Sequence, residues 1–253
     1  MQPGVVVAIA MLALGRGALG QSAEQHIVLG DHEHAAHNLP GALQHYEAAI
    51  RADPSNYAAL TKAAYDAVDL GEFDDNHQER DSLYRSAEQY ARQAIAANPN
   101  DADGHFELAR AIGRRALTMG TRDKIKYASE VREQALAALK LNPNHAGADH
   151  VMGVWNAEVM RLNGLSRMIA KNFLGGKIFG EASWDTAQKY LEEAVRLEPS
   201  RITHRLDLAA VYADRDQQTK AQEEYDWIGR APAVDYNDQK YKEEAERKLK
   251  ALR

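Results

Sequence analysis

The chain contains no cysteine, so disulfides are excluded, and so is lipid attachment through an N-terminal cysteine. It holds no HExxH, no phosphate-binding glycine loop and no nucleophile elbow, so its serines, histidines and acids are not arranged for any familiar catalysis. No cofactor and no metal centre are therefore expected. Basic residues are in deficit, 31 against 37 acidic ones, which argues against nucleic acid as a partner. Long apolar runs are absent too. The longest, Val5 to Leu14, is shorter than the roughly 20 residues of a membrane span.

That run sits inside MQPGVVVAIAMLALGRGALG, followed by small residues at Ala18 and Gly20. The pattern reads as a secretory signal peptide over 1–20, although no Lys or Arg precedes the run and Arg16 follows it. Its removal leaves 30 basic and 37 acidic residues in a chain expected to be exported, periplasmic or extracellular, with no transmembrane span in the mature form.

Proline is scarce, 7 residues in 253, and five of the seven close one recurring phrase. ALQHYEAAIRADP, AEQYARQAIAANP, VREQALAALKLNP, AQKYLEEAVRLEP and AQEEYDWIGRAP end at Pro54, Pro99, Pro143, Pro199 and Pro232. Ala42, Ala87, Val131, Ala187 and Ala221 open them, with Ala49, Ala94, Ala138, Ala194 and Ile228 seven residues on. Positions seven apart share a helix face, and small residues there let a neighbouring helix come close. Tyr46, Leu191 and Tyr225 fill the space beside them. A partner helix precedes each phrase, with Gly30, Ala64, Ala109, Gly153 and Ala209 at the small positions.

Helix pairs of this kind resemble tetratricopeptide repeats, whose period is about 34 residues. The fold class expected is all-α, an α-solenoid of about five such pairs near 23–56, 57–101, 102–145, 146–201 and 202–235, with insertions and a capping helix over 237–253. Proline spacings of 45, 44 and 56 residues leave about 11, 10 and 22 residues beyond that period. Turns are expected at Asn38–Gly41 and from Gly71 through EFDDNHQER.

Several clusters invite a functional reading. His34 and His37 are three apart and are a weak candidate for a metal pair, against the plainer reading of a solvated helix end. GRRALTMGTRDKIK gathers Arg114, Arg115, Arg122, Lys124 and Lys126, which would meet an anion if they face the inside of the solenoid. The segment 158–180 spaces Leu165, Met168, Ile169 and Phe173 helically, adds Phe179, and carries Arg161, Arg167, Lys171 and Lys177, as a membrane-surface or amphiphile-binding helix does. Trp155, Trp184 and Trp227 read as packing residues.

Beyond the generic repeat, the Lys-Ile-x-Tyr-Ala run at 124–128, Asn-Pro-Asn-His at 142–145 and His-Val-Met-Gly-x-Trp at 150–155 make residues 124–250 similar to the regulator of microtubule dynamics family. The resemblance implies a solenoid with enlarged loops and a binding role, and supplies no catalytic motif. Eukaryotic members associate with microtubules and with mitochondrial or endoplasmic reticulum membranes. This signal-bearing, alanine-rich sequence reads instead as a bacterial relative.

The function expected is a non-enzymatic scaffold that holds a protein or peptide in its concave groove. Helix phase puts Lys62, His105, Arg110, Arg114, Asp149 and Asn156 there. The alternative is a carrier of an anionic lipid or amphiphile, using Phe173 and Phe179.

Overall fold

Proline sets where the outer helices end. The computed structural model describes residues 22–162 and 177–252; in it Asp53, Asn98 and Asn142, each just before a proline, lie outside the helical region with φ/ψ of −141°/96°, −144°/91° and −133°/98°. Proline's ring disfavours helical dihedrals in the preceding residue, so each outer helix stops there.

The described chain runs α1 (Ala23–Ala35), α2 (Leu39–Ala52), α3 (Tyr57–Glu72), α4 (His77–Ala97), α5 (Ala102–Leu117) and α6 (Thr121–Leu141). It continues through α7 (Ala146–Arg161), a single turn α8 (Lys177–Gly180), α9 (Trp184–Leu197), α10 (Ile202–Asp214), α11 (Gln218–Arg230) and α12 (Asp238–Ala251). No strand occurs among the described residues. Helices pack as hairpins, α1 on α2, α3 on α4, α5 on α6, α7 on α9 and α10 on α11, and each hairpin packs on the next. This is the expected all-α solenoid.

All ten positions of the recurring phrase, from Ala42 and Ala49 to Ala221 and Ile228, are buried. The small positions of the inner helices answer them. Ala64, Ala109 and Ala209 are fully buried, and a Cβ added at Gly153 would stand 2.5 Å from Leu191 Cγ. A Cβ at Gly30 would stand 2.4 Å from the Tyr46 ring. The large residue of one helix thus seats against the missing side chain of its partner. Helix starts are capped by side chains: Ser183 Oγ accepts from the Thr186 amide at 3.1 Å, and Asn56 Oδ1 from the Ala59 amide at 3.0 Å.

Three expectations need correction. The first reversal lies at Ala36–Asn38, with His37 in the left-handed region at φ 60°, and Leu39, Pro40 and Gly41 already belong to α2. Proline fits there because the first helical residues have no intrahelical use for an N–H. Gly71 is no breaker but sits inside α3, where its bare Cα admits the Tyr84 ring. The extra residues of repeats two and three form longer helices rather than loops. The outer helices α4 and α6 have 21 residues each, against 14 in α2, about 31 Å against 21 Å at the helical rise. Residues 163–176 of the fourth insertion lie outside the described residues, as do residues 1–21.

The last helix does more than cap. Tyr241 and Ala245 join the core that holds Leu191, Ile202, Leu208, Tyr225 and Ile228, as a solenoid's terminal helix should. Phe73, from the end of α3, packs on the same cluster, its ring 5.1 Å from that of Tyr241. Asn237 Nδ2 donates to the Asp69 carbonyl at 2.8 Å. The chain therefore closes from its last helix back onto its second repeat.

Glycine substitutions separate close approach from helix propensity. Gly153→Ala forces Leu191 out of place and is expected to cost roughly 1–3 kcal/mol. At Gly229, where no atom lies within 4 Å of an added Cβ, alanine should stabilise by about 0.5–1 kcal/mol. Urea unfolding of the two variants tests this, and the same sign for both would refute the packing account.

Candidate ligand groove on the inner helices

The face turned inward by α3 carries polar residues in an otherwise alanine-rich helix. Within TKAAYDAVDL, Thr61, Lys62, Tyr65, Asp66 and Asp69 follow helical spacing, and α1 and α5 contribute Asp31, His34, Phe106 and Glu107 beside them. Between these three helices lies a cavity of about 520 Å³, lined by Asp31, Tyr46, Lys62, Tyr65, Asp66 and Glu107 among others.

Its electrostatics are uneven. Lys62 Nζ donates to Asp31 Oδ1 at 2.7 Å with both side chains half exposed, and Tyr46 Oη donates to the same carboxylate. Asp103, on the rim, pairs with His145 at 3.1 Å. Deeper in, Asp66 is 1% exposed. His34 Nδ1 meets its Oδ1 at 2.8 Å, while its Oδ2 has no hydrogen-bond partner among the described residues. The hydrogen bond with Asp66 raises the His34 pKa, and burial raises that of Asp66 against the pull of His34. Glu107 is buried, and desolvation pushes its carboxyl up to about 7 although Arg110 pulls the other way.

Further along the inner face the groove is filled by the protein itself. Tyr65, Arg110, His150, Arg201, Asp235 and Tyr241 enclose a cavity of only about 60 Å³. Arg110 binds Asp69, reaches Glu107 at 3.5 Å and the Tyr65 carbonyl at 3.3 Å, and stacks 4.5 Å over the Tyr65 ring. Arg201 pairs with Asp235 at 3.0 Å and with the Tyr65 hydroxyl.

The residues expected in the groove divide accordingly. Lys62 lines the open cavity. Arg110 and Arg114 lie on the inner face, yet both are committed, Arg114 to Glu72 at 2.7 Å. Reversing their charge would strand buried carboxylates, so it tests folding rather than binding. His105, Asp149 and Asn156 are displaced from the groove by helix phase. His105 turns to Gln134 at 2.7 Å and the Pro99 carbonyl, while Asp149 is buried, its Oδ2 unpartnered among the described residues and its pKa pushed up to about 6 by burial and by Glu193. Asn156 donates to the Met152 carbonyl at 2.8 Å and accepts from the Ser183 amide. At 100° per residue, the one-position step from Asp149 to His150 separates the α9-facing side of α7 from the inner one.

Of the basic run, Arg114, Arg115 and Lys124 have acidic partners within the chain. Arg115 is held by Asp81 and Glu88, each at 3.1 Å, and Lys124 by Glu158 at 3.5 Å. His34 and His37 do not share a helix face, since α1 ends at Ala35, and no three metal-ligating side chains converge among the described residues. Phe173 lies outside the described residues. Phe179 is buried and stacks on Trp155 with ring centroids 6.0 Å apart. It closes one wall of an apolar cavity of about 110 Å³ formed with Ile125, Val131, Val154, Val159 and Leu162.

Sequence reasoning missed Asp31, Tyr65, Asp66 and Glu107. Part of the signal was there for α3, where Tyr65, Asp66 and Asp69 interrupt a run rich in alanine; α1 and α5 are polar enough that Asp31 and Glu107 do not stand out.

Paired helices stacked with their first members inward define a tetratricopeptide solenoid. A thermophilic TPR protein of Thermus thermophilus superposes with a TM-score of 0.64 at 20% identity, over 88% of this chain and 98% of that one. Pseudomonas aeruginosa pilF does so with 0.50 at 15% identity, over 91% of each. Within that class, the family described as "Regulator of microtubule dynamics protein 1-3" matches residues 24–253, and the chain belongs to it. Regulator of microtubule dynamics protein 1 of Bos taurus is 27% identical over 141 residues, 56% of this chain and 43% of the relative. The Homo sapiens protein is 25% identical over the same length and 44% of its own. The chain thus spans less than half the length of these relatives.

Glu107 carries a pH signature. Its folded pKa lies above the ordinary 4.5, so the stability it contributes is full below pH 4.5 and is lost as pH rises through about 7. Glu107→Gln should therefore stabilise the protein on the order of 2 kcal/mol at pH 8 and little at pH 4. Urea unfolding at both values checks it, and equal effects at the two would contradict the assignment.

Proposed function

We propose that the protein is a non-catalytic scaffold that binds an extended peptide segment of a protein partner in the groove between α1, α3 and α5. The observation that carries this reading is the division of the inner face. Its C-terminal half is occupied by residues 235–241 of the chain, and its N-terminal half is an open cavity of about 520 Å³. That volume lies in the range of about 300–1,000 Å³ usual for ligand pockets, and combines aromatic walls with a few convergent polar groups. Solenoids present such surfaces to extended chains. The export expected from residues 1–20 belongs to the same proposal and would put the partner in the periplasm or outside the cell.

A second reading, the binding of an anionic amphiphile, is favoured by the apolar cavity beside Phe179, which has Arg114 and Lys124 in its wall. At about 110 Å³ that space accommodates the end of an apolar chain rather than a whole lipid.

One experiment separates the two. Peptides selected from a displayed library on the wild-type chain should bind Thr61→Trp, which fills the open groove, at least about tenfold more weakly. Undiminished binding would remove the groove reading. A lipid released on denaturing the purified chain in native mass spectrometry, with no peptide selected, would put the amphiphile reading in its place.

A further inference from the structure

The open groove has an electrostatic defect that a ligand would repair. Of its four carboxylates, Asp31 is matched by Lys62 and Asp103 by His145. Asp66 and Glu107 are matched only in part. His34 Nδ1 meets Asp66 Oδ1 at 2.8 Å but leaves the other oxygen, buried, without a partner among the described residues, and Asp66 lines the cavity. Glu107 lines the same cavity, with Arg110 3.5 Å away and engaged by Asp69. A buried carboxylate oxygen without a partner is costly, and a chain selected for stability alone would carry an amide or an apolar residue there.

We infer that the groove between α1, α3 and α5 receives a lysine or arginine side chain of the bound peptide, its cationic head against Asp66 and Glu107. The inference rests on the peptide-binding reading of the same groove and names the chemistry of the peptide. Three further observations agree with it. Tyr46, Tyr65 and Phe106 are among the residues lining the cavity, aromatic surface beside which an aliphatic stem can pack. With no three metal-ligating side chains converging among the described residues, the groove suits an organic cation better than a metal ion. The chain's net charge of −6 draws a basic segment toward it and repels an acidic one.

The ligand role also accounts for why Glu107 stays acidic. A cation in the groove would stabilise the ionised carboxylate that burial disfavours, so the free protein bears a stability cost that the complex relieves. Functional and structural roles then predict opposite effects for Glu107→Gln. That variant should be more stable than the wild type and bind worse.

Fluorescence anisotropy on the full chain tests the inference, using fluorescein-labelled Gly-Ser decapeptides that carry lysines, acetyl-lysines or glutamates at the same places. The lysine peptide should bind at least about tenfold tighter than either other peptide, and lose about tenfold in Glu107→Gln and in Asp66→Asn. Glu193→Gln, on α9 and outside the residues lining the groove, should leave binding unchanged. Equal binding of the acetyl-lysine peptide would overturn the inference, as would wild-type affinity in Glu107→Gln. If glutamate or acetyl-lysine peptides bind as well as lysine and all are weakened by Thr61→Trp, the groove reading stands and its cationic specificity falls. If no peptide of any composition binds, both fall. Displacement by free spermidine at the affinity of the lysine peptide would replace the peptide by a small polyamine.

Discussion

The structure depends on how closely two helices of a pair can approach. Gly153 against Leu191 and Gly30 against Tyr46 leave no room for a single added carbon, and the alanines at equivalent places of the other repeats are fully buried. Since dispersion and apolar burial fall off steeply with separation, this contact fixes the spacing within each hairpin. It also fixes the phase of every inner helix, so that Asp66 of α3 and Glu107 of α5 meet one cavity while His105 and Asp149 turn away from it.

From that phase follows an inner face rich in buried charge. Arg110, Arg114 and Arg201 each hold a carboxylate on another helix or on the segment before α12. Such pairs add little net stability, because desolvation offsets their attraction, but breaking one leaves a stranded charge. Their effect is to specify which elements meet. The same network that ties α3 to α5 ties both to Arg201, Asp235 and Asn237, and the C-terminal segment thereby takes up half of the surface on which a solenoid ordinarily binds.

Much of the architecture was legible in the sequence because repetition is a periodic signal. The spacing of Ala42 and Ala49, found in five segments that each close on a proline and with Val131 and Ile228 as the exceptions to alanine, carried hairpin order, helix ends and the buried stripe. Where the signal was composition rather than period, the reading went astray. Gly71 and the acids after it suggested a long loop, yet α3 runs through Glu72 and α4 begins at His77, since a glycine near a helix end can serve a neighbouring ring instead of breaking the helix. The site was less legible. Helix phase puts Lys62, Arg110 and Arg114 on the inner face, as the structure does, whereas Asn156 bonds to the Met152 carbonyl and the Ser183 amide. The closure by Asn237 and Tyr241 joins residues 168 positions apart, and no local pattern announces such a contact.

That closure decides which groove is open, and the absence of cysteine makes it directly measurable. Asp75→Cys on the α3–α4 turn and Gln239→Cys at the start of α12 introduce the only two thiols, both at exposed positions, for spin labelling and double electron–electron resonance. A chain closed from α12 onto α3 gives one narrow distribution at short distance, unchanged on dilution. A broad or long distribution, that of an open superhelix with its last helix far from its second repeat, would contradict the account.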